Sequence, residues 1–368
     1  MANITFILGN GFDLNLGLKT RYTDFYPEYI KMDVNDSDVE NKDALIHFKS
    51  LLKNDQGKWE NWSDFELAIG KYSDEFEKAE DLIGCIDDFT ENFKQYLKQQ
   101  SQRIDWSMNS TADTIGKSPF SKYLFRFYDY TSEKLKNRLV NFNFKNPGNN
   151  VIDILQLNYT DTFDTIFSCF KSYGNTENNF NIEGDIKSNL HIHGDLSNSI
   201  VMGVDNIGQI INKDFHKHEA LLDVLLKENY AYNISQYLNA NLIETQEIAV
   251  NAINSSNNII AFGTSIGKTD KRWWKIIGNW LKRSDNYRLI FINSHKNDIK
   301  GNSQIKTILK SKYNKEAEEK LLQRFYGLAE WSATDIIDYS SQITVDFNTD
   351  LFKFDLGLKD ESKTLQPA

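Results

Sequence analysis

The chain has 368 residues, of which 40% are hydrophobic and 13% aromatic, which is typical of a folded globular protein with one large domain or two smaller ones. A formal net charge of −10 argues against broad electrostatic binding to nucleic acid, although a local basic patch stays open. No apolar run reaches the roughly 20 residues of a membrane-spanning helix, and the short N-terminal run has no basic segment before it, so we expect a cytoplasmic protein without a membrane partner.

The first predicted element is a buried strand that ends in a glycine loop. Residues 4–8 are apolar or β-branched, and the run stops at the segment Gly9-Asn10-Gly11-Phe12-Asp13. Glycine lets the backbone approach a phosphate, which a Cβ would block, and the N–H groups of such a loop are free to donate. The loop is therefore a candidate nucleotide-binding loop, and a purely structural turn is the alternative.

The next part of the chain changes to a helical period. Residues 41–105 place apolar side chains at helical spacing and predict two or three amphipathic helices, and residues 120–141 predict one more. The aromatic block at 59–66 is interpreted as a packing cluster for these helices. We predict a helical insertion over residues 41–149, closed by the turn signal at 147–150.

From residue 151 onward, short apolar runs again end in polar motifs. The runs 151–157, 189–193, 258–262 and 287–292 lead into Asn158, Gly194, Gly263-Thr264-Ser265 and Asn293, respectively. In open α/β sheets, ligands bind at the carboxyl ends of the strands, so these motifs converge on one edge. The pattern predicts an α/β fold with a Rossmann-like, doubly wound, mainly parallel sheet built from residues 1–40 and 150–345, followed by a C-terminal tail over 346–368.

Two residues at these strand ends are candidates for chemistry. An imidazole at His193 can act as a general base near neutral pH, and Gly194 beside it lets a substrate approach the backbone; a structural histidine is the alternative. Asn158 can fix a ribose hydroxyl or a carboxamide through its two-sided amide, or it can cap a helix. Thr264 and Ser265 can donate to phosphate or cap the following helix.

Metal binding is ranked low. His191 and His193 could form a pair of ligands, but no third ligand follows at a tight spacing, and two cysteines are too few for a Cys₄ zinc module. We therefore predict no metal site. A metal-dependent nuclease or nucleotide hydrolase stays open as an alternative function, with Asp13, Asp195 and Asp205 as its candidate acids, although these residue types first suggest turns and caps.

Several segments resemble the bacteriophage abortive infection AbiH family. They are Leu8–Asp13, Gly17–Phe25, Trp62–Glu66, Leu157–Thr160, His191–Gly194 and Gly203–Asp205. The resemblance spans nearly the whole chain. It implies a role in phage defence, with a phage-derived trigger as an expected partner.

A more distant resemblance is to sirtuin-type NAD-binding domains, which carry similar motifs in the same order. It implies that Gly9, Gly11, Thr264 and Ser265 approach the phosphates, that Asn293 lies at the adenosine end, that Asn158 orients the nicotinamide ribose and that His193 is the general base. The expected binding set is completed by Asn10, Phe12, Asp13, Thr20, Gly194 and Gly263. The sirtuin zinc module is missing, and Tyr159 or Thr160 stands near the position of their acid, which favours cleavage of the nicotinamide glycosidic bond over protein deacetylation.

The function that we expect is therefore an abortive-infection effector that binds NAD or a related nucleotide and hydrolyses its glycosidic bond. NAD enters as a substrate or ligand, and no tightly bound cofactor is expected. Such an enzyme must be restrained in uninfected cells, so we expect the insertion to gate the site or to mediate homo-oligomerisation. A non-catalytic nucleotide-binding sensor in phage defence is the alternative from another class.

Overall fold

The fold is organised around one six-stranded, all-parallel sheet. The computed structural model describes residues 3–34, 41–55, 62–105, 120–139, 150–177, 184–237, 242–292, 303–347, 350–354 and 356–359. The strands are β1 (Asn3–Leu8), β2 (Asn150–Gln156), β3 (Gly184–His191), β4 (Asn258–Phe262), β5 (Arg288–Ile292) and β6 (Ile343–Asp346). Their order across the sheet is β3-β2-β1-β4-β5-β6, which confirms the predicted doubly wound α/β fold.

The strand order places a crevice between β1 and β4. The chain moves outward from β1 through β2 and β3, then returns to β4 on the other side of β1, and ligands bind outside the strand ends at such a switch point. The register brings the last residues of the six strands side by side: His191, Gln156, Leu8, Phe262, Ile292 and Asp346. The loops that follow these strands therefore begin at one common edge.

Helices surround the sheet. They are α1 (Gly11–Asn15), α2 (Tyr22–Tyr29), α3 (Lys42–Asn54), α4 (Trp62–Tyr72), α5 (Ala79–Gln102), α6 (Phe120–Phe125), α7 (Glu133–Leu139), α8 (Thr162–Glu177), α9 (Glu219–Leu225), α10 (Lys227–Tyr237), α11 (Leu242–Ser255), α12 (Lys271–Leu281), α13 (Ser303–Leu328) and α14 (Ala333–Tyr339). Helices α1 to α7 precede β2, and the described residues between the first two strands include no strand of the sheet.

Both faces of the sheet are buried, as expected for a parallel sheet covered by helices. Phe6 belongs to the core on one face and Ile7 to the core on the other, in keeping with the alternation of side chains along a strand. Phe352 packs edge-on against Phe6, with ring centroids 6.0 Å apart, and against Phe262, 5.1 Å apart. Part of the segment predicted as a C-terminal tail therefore belongs to the core. Its burial was not predicted because a short aromatic run has neither a helix period nor a strand period.

A separate aromatic core holds the helices that follow β1. The rings of Tyr22 and Phe65 stack with centroids 3.9 Å apart, and Phe89 of α5 packs against both. Phe65 thus has the packing role predicted for the 59–66 block, of which residues 59–61 lie outside the described part. The same core includes Tyr159 and Met202, so these helices pack directly on the loops at the strand ends.

Candidate functional site

A cavity of about 540 Å³ opens at the carboxyl ends of the strands, a volume within the range of small-molecule sites. The loops after β1, β2, β3 and β4 contribute to its wall. The helices between β1 and β2 contribute Glu66 and Leu97, and α13 contributes Leu321. The cavity is therefore enclosed both by the sheet edge and by helices that are distant from it in sequence.

The glycines of the first and fourth loops interlock. The N–H of Gly11 donates to the carbonyl of Gly263 over 2.9 Å, and the N–H of Gly9 donates to the carbonyl of Phe262 over 2.9 Å. A Cβ on Gly11 would lie 2.3 Å from the Cα of Gly263, which itself has a φ of +62°. These glycines are needed because two backbones cross here, while a direct contact with phosphate stays a prediction.

We expect Gly11→Ala to lower the free energy of unfolding by about 1–3 kcal/mol or more, because the new methyl group meets backbone that cannot move aside. Urea unfolding followed by circular dichroism measures this loss. The matched control is Gly327→Ala in α13, where an added Cβ meets nothing within 4 Å and helix propensity favours alanine by about 0.5–1 kcal/mol. Equal stability of the two variants would contradict the interlocked loops.

Asn10 and Thr20 hold the first loop against the segment before α2. The amide of Asn10 donates to the carbonyl of Thr20 over 3.0 Å, and the hydroxyl of Thr20 donates back to Asn10 Oδ1 over 2.5 Å. Both residues line the cavity, and the exposed Arg21 follows at its rim. The hydrogen bonds between Asn10 and Thr20 thus hold the first loop in place.

Two of the predicted binding residues, Phe12 and Gly194, do not line the cavity, and a third cannot be placed. Phe12 lies in the core, where its ring meets Phe163 and Phe352 edge-on, because helix α1 turns its apolar side toward the sheet. Gly194, with a φ of +77°, serves a tight turn in which a Cβ would lie 2.0 Å from the Ser199 carbonyl. Asn293 lies outside the described residues.

His193 is buried on the cavity wall and is paired with a carboxylate. Its Nε2 lies 2.9 Å from Oδ1 of Asp270, and its Nδ1 is buried without a hydrogen-bond partner. Burial alone would raise the pKa of Asp270, but the charge of Lys227 and the contact with His193 hold this pKa well below its ordinary value. An ionised carboxylate only accepts hydrogen bonds, so neutral His193 carries its proton on Nε2 and its lone pair on Nδ1.

Lys227 connects this pair to the helical insertion. Its ammonium donates to Asp270 over 3.1 Å and to Oε2 of Glu66 over 3.0 Å, and Glu66 also accepts from the hydroxyl of Thr269. Burial raises the pKa of Glu66, and the charge of Lys227 opposes that rise. Burial would lower the pKa of Lys227, but Asp270 and Glu66 outweigh it and raise this pKa. With these three groups ionised, the cluster carries one net negative charge beside His193.

His191 has a different environment from His193. Its Nε2 lies 2.9 Å from Asp164, and its Nδ1 lies 2.9 Å from the carbonyl of Asn158, so both ring nitrogens are engaged. Burial lowers the pKa of His191, but the hydrogen bond and charge of Asp164 outweigh it, and the pKa is raised overall. His191 thus fixes the backbone of Asn158, whose buried side chain lines the cavity.

The loop after β4 is held in a strained form. Thr264 is buried and its hydroxyl has no hydrogen-bond partner, whereas Ser265 is exposed at the cavity wall and its carbonyl accepts from Arg324 over 3.0 Å. Ile266 follows with a φ of +49°, which β-branched residues rarely adopt. Strain of this kind persists where the surroundings impose it and is concentrated at functional sites.

The family model of bacteriophage abortive infection AbiH matches residues 5–293 of the chain. The chain belongs to the AbiH family. The match confirms the resemblance drawn from the sequence motifs, and it connects the chain with phage abortive infection. It extends from β1 past the end of β5 and so includes His193, Lys227 and Asp270. No curated protein matches the chain at the level of significance required.

Two of the acids considered for a metal site in this AbiH protein lie in turns. Asp195 accepts hydrogen bonds from the backbone of Ser197 and Asn198, and Asp205 accepts a long hydrogen bond from the backbone of Arg272. Within the described residues, no three His, Cys, Asp or Glu side chains form a group that could hold a metal ion. The helices of the described residues likewise include none that is long and apolar enough to cross a membrane.

Four residues of the site were not predicted from the sequence: Glu66, Lys227, Thr269 and Asp270. Glu66 lies in the 59–66 block that was interpreted as a packing cluster, and none of the predicted strand-end motifs includes Lys227, Thr269 or Asp270. The helical spacing of the sequence contained one signal for Glu66. On α4, Glu66 lies on the same buried side as Phe65 and Ile69. A carboxylate at a buried helical position needs a partner. The identity of that partner was not readable from the sequence.

Proposed function

We propose that this AbiH protein binds NAD or a closely related dinucleotide in the cavity and hydrolyses the bond between nicotinamide and its ribose. The observation that carries the proposal is the His193–Asp270 pair, which leaves the second ring nitrogen of a cavity-lining histidine buried and without a hydrogen-bond partner at the β1/β4 switch point. A base oriented by a carboxylate is a recurring arrangement for activating water.

The cavity offers features that suit a dinucleotide. Dinucleotides bind across the switch point of this strand order, with their phosphates near the loop after the first strand. The exposed guanidinium of Arg21 at the rim and the unpartnered hydroxyl of Thr264 supply donors for a diphosphate. Asn158, fixed by His191, can orient the ribose next to nicotinamide.

The proposed reaction needs only water as a co-substrate. His193 Nδ1 takes a proton from water while the water oxygen bonds to C1′ of the nicotinamide ribose. The bond from C1′ to the pyridinium nitrogen breaks, and its electron pair neutralises the ring, so nicotinamide leaves and ADP-ribose remains. The proton then passes from Nδ1 to solvent, while the Glu66–Lys227–Asp270 cluster keeps its net negative charge beside the ring.

The test is the release of nicotinamide and ADP-ribose from NAD by the purified protein, with and without a chelator. We expect release by the wild type, loss of release in His193→Ala, a reduced rate in Asn158→Ala and no effect of the chelator. His47→Ala is the matched control, because His47 is exposed on α3, outside the cavity wall.

Three outcomes would contradict the proposal. If folded wild-type protein neither binds nor cleaves NAD, the nucleotide assignment is wrong. If NAD binds to the wild type and to His193→Ala without any cleavage, the nucleotide sensor becomes the better description. Activity that disappears with the chelator would favour the metal-dependent hydrolase instead.

A further inference from the structure

One buried carboxyl on the cavity wall has no part in the proposed reaction. Asp13 lies in the first turn of α1, is 1% exposed and lines the cavity. Its Oδ2 accepts a hydrogen bond from the hydroxyl of Thr160 over 2.7 Å, while its Oδ1 and the nearby hydroxyl of Thr162 are both buried without a hydrogen-bond partner of good geometry. A buried carboxyl oxygen without a partner is unfavourable, so a ligand group that completes it would bind with an advantage.

The charges around Asp13 differ from those around Asp270. The titratable groups that act on it are Asp161, whose charge raises the pKa of Asp13, and His191, whose charge lowers it. Burial is the largest cause and raises the pKa of Asp13 to about 7, although the hydroxyls of Thr160 and Thr162 oppose it. Near neutral pH, Asp13 is therefore substantially protonated. With Oδ2 accepting from Thr160, its proton is available on Oδ1.

Thr160 also indicates which end of the ligand Asp13 faces. The hydroxyl bonded to Asp13 belongs to the loop after β2, two residues beyond Asn158. Asn158 is the residue that we assign to the nicotinamide ribose, so the base attached to that ribose lies on the same side of the cavity as Asp13.

We propose that Asp13 acts as a neutral carboxylic acid and donates a hydrogen bond from Oδ1 to the carboxamide oxygen of the departing nicotinamide. The inference rests on the proposed function. Electrons enter the ring as the glycosidic bond breaks, so the carboxamide oxygen becomes a better acceptor in the transition state. An ionised Asp13 would instead stabilise the positively charged ring of bound NAD, and this charge is lost in the reaction. The neutral acid avoids that penalty.

The protonation of Asp13 can be tested without any enzymatic assay. Because its pKa is raised on folding, the folded protein binds the proton more tightly than the unfolded chain, and stability falls as pH rises from about 4 to about 7. Asp13→Asn is neutral at every pH and lacks this contribution. We expect the unfolding midpoint of Asp13→Asn to rise relative to the wild type across this window. Asp43→Asn is the control and should show no such trend, because Asp43 is exposed on α3 and is not among the groups that act on Asp13.

The ligand assignment is tested with nicotinamide itself, by equilibrium dialysis at pH 6 and pH 8. If only the neutral acid binds, a pKa of about 7 predicts affinity about tenfold weaker at pH 8 for the wild type. Asp13→Asn keeps a donor and should bind nicotinamide equally at both pH values. Asp13→Ala lacks the donor and should bind weakly at both.

Each other outcome overturns a defined part. Tighter binding at pH 8, or a pH dependence that survives in Asp13→Asn, overturns the neutral donor. Midpoints of Asp13→Asn that parallel the wild type at every pH also overturn it. If the wild type cleaves NAD but the affinity for nicotinamide is the same in all Asp13 variants, only the assignment of Asp13 is wrong. If the wild type neither cleaves NAD nor binds nicotinamide, the proposed function is overturned as well.

Discussion

Replacing Lys227 by methionine is expected to lower the free energy of unfolding by about 3–5 kcal/mol. The side chain of Lys227 is 11% exposed and lies between Glu66, 4% exposed, and Asp270, 18% exposed. Methionine fills a similar volume but removes the positive charge that both carboxylates share. Two buried negative charges would then repel each other without a counter-charge, and protonating one of them at neutral pH requires free energy.

Urea unfolding followed by tryptophan fluorescence measures this loss of stability. A double variant tests whether it comes from the two carboxylates left without a counter-charge. Lys227→Met combined with Glu66→Gln removes one carboxylate and should recover part of the stability, because a single buried charge remains beside His193. The control is Lys275→Met, which breaks an exposed pair with Glu330 and should leave stability unchanged within error. If Lys227→Met and Lys275→Met unfold alike, the cluster is not ionised as described.

The same cluster makes the helical insertion part of the site. Glu66 comes from α4, Lys227 from the first turn of α10, Asp270 from the residue before α12 and His193 from the loop after β3. Any shift of α4 relative to the sheet would therefore change the contacts of Lys227 and, through Asp270, the surroundings of His193. Control of activity by the insertion stays a prediction, but this chain of contacts supplies a physical route for it.

The sheet and the strand-end loops were predictable from the sequence for a physical reason. Parallel strands buried on both faces are continuous apolar runs, and the runs that end at residues 8, 157, 262 and 292 stop within one residue of the strand ends that the structure gives. The run 189–193 ends two residues beyond β3, and no run was predicted for β6. Glycine and polar residues interrupt the pattern where the backbone leaves the sheet. The position of each loop in sequence therefore indicated its position at the edge.

The directions and partners of side chains were not predictable in the same way. Phe12 follows directly on the glycine loop, yet its ring packs in the core, because one residue of helix rotates a side chain by about 100°. Glu66 meets Thr269 across 203 positions of sequence, and no local period records a contact of that separation. Glu66, Lys227 and Asp270 are thus brought together at the site by tertiary packing alone.

Asp270→Asn is expected to lower kcat for NAD cleavage by about 10²–10⁴-fold, with KM little changed and the fold retained. The amide can donate to Nε2 of His193, which moves the ring proton to Nδ1 and removes the lone pair that accepts the proton of water. If the amide oxygen accepts instead, the imidazolium loses the negative charge beside it. Either orientation leaves Lys227 neutralised by Glu66, so stability should fall far less than in Lys227→Met.

Single-turnover release of nicotinamide measures the chemical step. A variant that combines Asp270→Asn with His193→Ala tests whether Asp270 acts through His193 or independently of it. If Asp270 acts through His193, then Asp270→Asn adds little to the loss already caused by His193→Ala, because residues that act as a unit are not additive. If the two losses multiply in the double variant, Asp270 contributes independently of the imidazole. The lone pair on Nδ1 would then not depend on the contact between Asp270 and Nε2.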